Sequence, residues 1–408
     1  MSLNAVPSGE RVHIGFFGCR NAGKSSLVNA VTGQSLSIVS EVKGTTTDPV
    51  TKAMELLPLG PVVIIDTPGF DDEGYLGEMR VKKTREILGR SDMAVLVVDA
   101  SRGMTAEDGQ LLQLMKERGL PYLIALNKSD LISGGPSAGS FPEPDRCAAV
   151  SAVTGEGIEA FKERLAAIVP QGEERHLAAD LVCPGDAVIL VCPIDESAPK
   201  GRLILPQQQA VRDLMERGAL PVVVRETELR TALDALKNPP ALVITDSQAF
   251  GVVSRIVPGD IPLTSFSILM ARYKGFLETA VRGVSAIAGI GDGDRILLAE
   301  GCTHHRQCND IGTVKIPRWL RQMCGGEPVI ETCSGREFPD DLTPYRVVIH
   351  CGGCMLTERA VTERMERAEA QGVPFTNYGL AIAQMTGTLE RSLRIFPDLH
   401  AVIAGGGT

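Results

Sequence analysis

Gly18-Cys19-Arg20-Asn21-Ala22-Gly23-Lys24-Ser25 reads G-x-x-x-x-G-K-S, a phosphate-cradling loop. Val12-His13-Ile14-Gly15-Phe16-Phe17 before it is short and mostly apolar, which predicts a buried strand. Ser26-Leu27-Val28-Asn29-Ala30-Val31 after it predicts the first turns of a helix. Gly18 and Gly23 let backbone N–H groups turn onto a phosphate at the positive end of that helix. Lys24 is expected to reach the β- and γ-phosphates and Ser25 to hold Mg²⁺; Asn21, Ala22 and Ser26 are read as further contacts. A Gly-rich turn that binds nothing is the alternative for this stretch alone.

Further signals follow in the order a guanine-nucleotide switch needs. Thr46, in Gly44-Thr45-Thr46-Thr47, is expected to complete the Mg²⁺ shell from a switch loop. Val62-Val63-Ile64-Ile65 predicts a strand ending in Asp66-Thr67-Pro68-Gly69, with Asp66 on Mg²⁺ through water and the Gly69 N–H sensing the γ-phosphate. Ala94 to Asp99 is another strand, and Tyr122 to Leu126 leads into Asn127-Lys128-Ser129-Asp130. An aspartate at 130 accepts from N1–H and the 2-amino group of guanine, which adenine cannot match. Val150-Ser151-Ala152 is expected to close over the base. Each later motif is common by itself; their joint order, each at a strand end, implies GTP and GDP as ligands. The residue after Gly69 is Phe70, whose ring cannot orient water, so slow intrinsic hydrolysis is expected. Asp71, Asp72, Glu73 and Glu78 read better as a solvated acidic face than as catalytic groups, and no catalytic residue is assigned.

The chain has 408 residues, too many for one ordinary core. Its net charge of −9 argues against a broad nucleic-acid surface, and no apolar run approaches a membrane span. The first strand begins by Val12, leaving no room for a cleaved signal, so a cytoplasmic protein is expected. Ten cysteines in such a protein point to metal or catalysis rather than a disulfide framework. The polar stretch Pro170 to Arg175 predicts the end of the GTPase domain, 1–172. Strands at 187–192, 221–224 and 241–245, alternating with helices, predict a small α/β unit over 180–260, an association surface suited to homodimerisation. Cys183 and Cys192 there read as buried structural cysteines. Pro262 to Val284 predicts a long helix entering a third domain, 262–408.

In that last third, strands are expected to end at Gly301-Cys302-Thr303-His304-His305, at Cys333 and at His350-Cys351-Gly352-Gly353-Cys354. An open parallel sheet binds ligands beyond the carboxyl ends of its strands, which would bring Cys302, Cys351 and Cys354 together. Three chemistries compete. A redox dithiol leaves Cys302 and the histidines idle. Structural zinc would take Cys302, His304, Cys351 and Cys354. An iron–sulfur cluster fits better, with three thiolates and one labile position. His304 is the candidate exchangeable ligand; His305 and His350 are read as outer groups that orient the loop. Cys308, Cys324 and Cys333 are spare, Cys333 being the nearest candidate neighbour.

The first third resembles the Era and TrmE kind of GTPase, and Asn21 matches the asparagine with which TrmE-like proteins hold potassium. Taken whole, with Cys302-Thr303-His304, His350-Cys351-Gly352-Gly353-Cys354 and Pro193 to Arg202 in the middle unit, the chain resembles the [FeFe]-hydrogenase maturation GTPases of the HydF family. The resemblance implies three α/β domains: a P-loop GTPase, a dimerisation unit and a [4Fe–4S] domain with three cysteine ligands. It implies a homodimeric scaffold that receives a di-iron precursor from radical-SAM maturases and delivers it to apo-[FeFe]-hydrogenase. GTP hydrolysis would modulate those associations, with Mg²⁺ and K⁺ as cofactors and neither nucleic acid nor membrane as partner. The rival reading is an RNA- or ribosome-associated GTPase with a structural zinc module, against which the acidic balance counts.

Overall fold

The structure, a computed structural model, describes residues 8–33, 50–67, 75–132, 141–169, 175–194, 203–301, 310–335 and 337–405. The chain divides into two compact units, Met1–Gly172 and Glu173–Thr408.

In the first unit the elements run β1 (Val12–Phe17), α1 (Lys24–Thr32), β2 (Val50–Leu56), β3 (Gly60–Asp66), α2 (Tyr75–Arg90), β4 (Met93–Asp99), α3 (Ala106–Glu117), β5 (Tyr122–Asn127), β6 (Cys147–Ala149) and α4 (Ile158–Ile168). They build a six-stranded sheet in the order β2-β3-β1-β4-β5-β6, parallel except for the β2–β3 pair. Successive strand residues face opposite sides of a sheet. Phe16, Ile64 and Val95 therefore pack with Leu27 and Phe161 of α1 and α4, while Phe17, Ile65 and Leu96 pack with Leu88 and Leu112 of α2 and α3. Both faces are covered, which is why β3, β4 and β5 are nearly unbroken apolar runs.

The second unit holds two parallel four-stranded sheets. The first is ordered β10-β9-β7-β8, from β7 (Ala187–Val191), β8 (Leu220–Val224), β9 (Leu242–Thr245) and β10 (Leu263–Ser265), with α5 (Leu205–Glu216), α6 (Leu229–Ala235) and α7 (Phe250–Ile256) between them. α8 (Phe266–Tyr273) and α9 (Leu277–Val284) then lead to the second sheet, ordered β12-β11-β13-β14. Its strands are β11 (Arg295–Glu300), β12 (Val329–Ser334), β13 (Val347–His350) and β14 (Phe375–Asn377), with α10 (Ile316–Cys324) and α11 (Glu358–Ala370) as crossovers. α12 (Tyr378–Met385), α13 (Leu389–Leu393) and α14 (Pro397–Gly405) follow.

Two expectations are corrected here. Residues 262–284 are not one helix. β10 completes the first sheet, and the helical run that follows is broken at Gly275, whose φ of 77° is left-handed. Cys192 is buried as expected, but Cys183 is exposed. No helix among the described residues is long and apolar enough to cross a membrane.

Candidate functional site

The carboxyl ends of β1, β3, β4 and β5 carry the predicted nucleotide residues. The loop after β1 enters α1 through Gly23, with φ 89°. A Cβ at Gly23 would lie 2.3 Å from Asn127 Nδ2, so the close approach of the two loops requires glycine. Lys24 is buried and its Nζ donates to the carbonyls of Gly18 and Cys19 at 2.9 and 2.8 Å. Asn21 is exposed, with φ 63°. Ser25 Oγ donates to Asp66 Oδ2 at 2.7 Å. Asp66 Oδ1 is buried and has no hydrogen-bond partner among the described residues. Burial pushes the Asp66 carboxyl above its ordinary range, against the pull of Ser25 and Lys24. A buried carboxylate oxygen without a donor, beside a serine hydroxyl, suits a hard divalent cation.

The base-binding loops are locked to the phosphate loop. Asn127 is buried; its Nδ2 donates to Ala22 O at 2.9 Å and its Oδ1 accepts from Ala152 N at 3.1 Å. Ser151 Oγ donates to Asp130 Oδ1 at 2.6 Å, orienting an exposed carboxylate. Asp99 received no role from sequence reasoning. It ends β4, and its Oδ2 accepts from Lys128 Nζ at 2.5 Å. Burial opposes ionisation of Asp99, yet Lys128 and Ser101 together hold its carboxyl below the usual range. Its position at a strand end was the available signal. Thr46, Gly69, Phe70, Asp71, Asp72 and Glu73 lie outside the described residues.

The second candidate site lies at the carboxyl end of β13. Cys351 Sγ accepts from Gly301 N at 3.0 Å and from Gly353 N at 3.4 Å. Burial raises the Cys351 pKa; those two N–H groups and Arg364 oppose the rise. A Cβ on Gly301 would sit 2.9 Å from Leu356 Cγ and 3.6 Å from Cys351 Sγ, so the backbone is drawn tight against the sulfur. Cys354 is half-buried against the core containing Phe266, Leu269 and Met270. Backbone donors trained on a cysteine sulfur favour its thiolate, which is the form a metal–sulfur centre needs. Cys302, His304, His305 and Cys308 lie outside the described residues, and among the described ones no three ligating side chains converge.

His350 is fully buried, and both ring nitrogens are engaged. Arg364 Nη1 must be the donor to Nε2, at 3.1 Å, so Nδ1 carries the proton and donates to Cys351 O at 2.6 Å. Burial, reinforced by Arg364, pushes the His350 pKa down to about 3. Cys333 is buried two strands away, across β11, whose Ala299 is paired in register with both Cys333 and His350. Its thiol is pushed up to about 11, chiefly by burial. Sequence reasoning missed Arg364. The signal was an arginine in the buried stripe of α11, with Ala360, Val361 and Ala368.

Comparison with known proteins follows the same division. Residues 13–128 match the family model of the 50S ribosome-binding GTPase. Residues 177–275 match the Hydrogen maturase F dimerization domain and residues 278–395 the Hydrogen maturase F tetramerization domain. The tRNA modification GTPase MnmE of Laribacter hongkongensis (strain HLHK9) is 35% identical over 181 residues, covering 42% of this chain and 39% of that protein. GTPase Der of Kosmotoga olearia (strain ATCC BAA-1733 / DSM 21960 / TBF 19.5.1) is 34% identical over 129 residues, covering 30% and 29%. The chain thus spans well under half the length of these curated relatives. A solved probable GTP-binding protein engB is 25% identical, covers 40% of this chain and 100% of its own, and has a TM-score of 0.33. Carrying a GTPase domain followed by both oligomerization domains of hydrogen maturase F, the chain belongs to the hydrogen maturase F family.

Proposed function

We propose that this GTPase is a scaffold that holds a [4Fe–4S] cluster and a di-iron precursor and delivers the precursor to apo-[FeFe]-hydrogenase. The observation that carries the reading is Cys351 Sγ, held by two backbone N–H groups at the carboxyl end of β13 within a hydrogen maturase F domain. Cys302, Cys351 and Cys354 would hold the cluster, with His304 at the exchangeable position and His305 and His350 behind. When bound, a cluster so held supplies an iron open to cargo. The chain's own part is to fix the sulfurs: Gly301 and Gly353 orient Cys351, and His350 braces the loop through the Cys351 carbonyl.

In the GTPase domain, residues 1–172, Lys24 and the loop N–H groups would bind the phosphates. Ser25, Thr46 and Asp66 would hold Mg²⁺, which neutralises phosphate charge. Gly69 would sense the γ-phosphate; Asn127, Lys128, Asp130, Ser151 and Ala152 would select and enclose guanine. Asn21 would hold K⁺, so hydrolysis is expected to run faster in potassium than in sodium; equal rates would remove that assignment. Residues 180–260 would pair two copies, 262–408 would carry the cluster, and the cytoplasm would be the working compartment. Radical-SAM maturases would supply the precursor, and the nucleotide state would govern partner release.

The test is anaerobic reconstitution with ferrous iron and sulfide, followed by iron and zinc analysis. About four irons per chain, lost in Cys351→Ala, are expected. Colourless protein with one zinc would reject the scaffold and leave the RNA-associated zinc reading.

A further inference from the structure

Behind the Cys351 loop lies a buried cation with only neutral partners. Arg364 is 5% exposed and projects from the core-facing stripe of α11. Its Nη1 donates to His350 Nε2 at 3.1 Å and its Nη2 to Gly335 O at 2.5 Å. The guanidinium sits 5.0 Å from the centroid of the Phe338 ring. His350 accepts through Nε2, so it is neutral. Among the described residues no carboxylate pairs with Arg364; the adjacent Glu363 is engaged by Arg367 at 2.7 Å. Burying an unpaired guanidinium is costly, so such a group points to an anion that completes it. Cys333 and Cys351 are the groups that would act most strongly on Arg364 once ionised. Arg364 in turn lies behind the loop whose sulfur accepts two N–H bonds.

We infer that Arg364 is a built counter-charge for an anionic metal–thiolate centre on Cys351, raising that centre's electron affinity while holding His350 as a brace rather than a ligand. The inference rests on the reading of Cys351 as a cluster ligand. Thiolate-bound clusters carry net negative charge, and their potentials follow charge, hydrogen bonding and burial. A unit charge about 10 Å away, at an effective dielectric of about 20, changes a one-electron equilibrium by roughly tenfold or more. Both imidazole nitrogens are already committed, so His350 reaches a metal only if Arg364 lets go. Arg364 is accordingly a positioning residue, acting through charge and through His350 rather than by touching cargo.

The experiment is a reductive titration, followed by electron paramagnetic resonance, of full-length protein reconstituted anaerobically with ferrous iron and sulfide. The parent is compared with Arg364→Met, Arg364→Gln and Arg364→Lys. The neutral variants are expected to lose at least tenfold in electron affinity, which is about 59 mV downward for a one-electron couple. Arg364→Lys keeps the charge and is expected to stay within a few-fold of the parent. The inference is overturned if the neutral variants titrate with the parent, or if the lysine variant falls as far as they do. Should Arg364→Met not fold, Arg364→Gln retains an N–H for His350 and carries the comparison, and the lysine variant tests the charge by itself. If the parent takes up no cluster, the reading of the cysteine site fails; a loaded parent with unmoved variants defeats only the role of Arg364.

Discussion

Replacing Asn127 with alanine tests whether the phosphate and base loops are one mechanical piece. Asn127 is 2% exposed and bridges Ala22 O, at 2.9 Å, to Ala152 N, at 3.1 Å. Truncation leaves a buried carbonyl and a half-buried N–H without partners. Each such loss costs about 1–3 kcal/mol; water entering the space left behind keeps the total near the lower end, about 2–4 kcal/mol. At roughly 2–4 °C per kcal/mol for a domain of this size, the melting transition of the first unit should fall by about 4–16 °C. Guanine-nucleotide affinity should fall with it, because Asn127 anchors to Ala22 the loop that carries Asp130, and holds the neighbouring loop of Ser151 through Ala152 N. The assays are calorimetric melting and titration with GDP·Mg²⁺. Asn127→Asp separates the bonds: it keeps the acceptor for Ala152 N but turns an acceptor toward Ala22 O, and should be at least as damaging. An Asn127→Ala protein that melts and binds like the parent would refute the bridge.

Three further outcomes are expected in the second unit. Arg272 grips Asp180 with both terminal nitrogens, Nη1 to Oδ1 at 2.9 Å, and holds that carboxyl below its usual range. A depressed folded-state pKa gives stability that is complete above the unfolded carboxylate range and lost as pH falls through the folded value. The pair is about a third exposed, so Asp180→Asn should cost no more than about 1 kcal/mol at pH 7 and progressively less as pH falls through the folded value, read from urea unfolding at neutral and at acid pH. Gly301→Ala should cost about 1–3 kcal/mol through the 2.9 Å approach to Leu356 and should reduce bound iron after reconstitution. Gly275→Ala forces a side chain to φ 77° and should destabilise the unit by about 1–2 kcal/mol; a neutral or stabilising result in thermal melting would mean the helix runs on through this position.

The parts of the fold that could be read from sequence were those whose cause is local. The run Val12 to Phe17 into Gly23-Lys24 states both the strand and the turn, because each requirement is met by neighbours in the chain. The strand ends at Asp66, Asp99 and Asn127 were visible for the same reason. Residues 262–284 were misread because their helical periodicity is nearly continuous; Gly275 is the local stop, and the other contacts that interrupt it come from elsewhere. Leu263–Ser265 pairs with β9, and Lys274, 2% exposed, is turned inward so that its Nζ donates to Leu356 O, 82 residues away, at 2.8 Å. That same bond ties α8 to the loop carrying Cys351 and Cys354. Arg364 was hidden by the opposite circumstance: a charged residue on an apolar stripe looks like a flaw in the helix until His350 and Gly335 are brought to it by the sheet. In both cases a long-range contact converts a local anomaly into a requirement. Both contacts end on the same few residues around Cys351. The part of the chain least legible from its neighbours is thus the part where separate elements are made to meet, which is what building a site from distant strand ends demands.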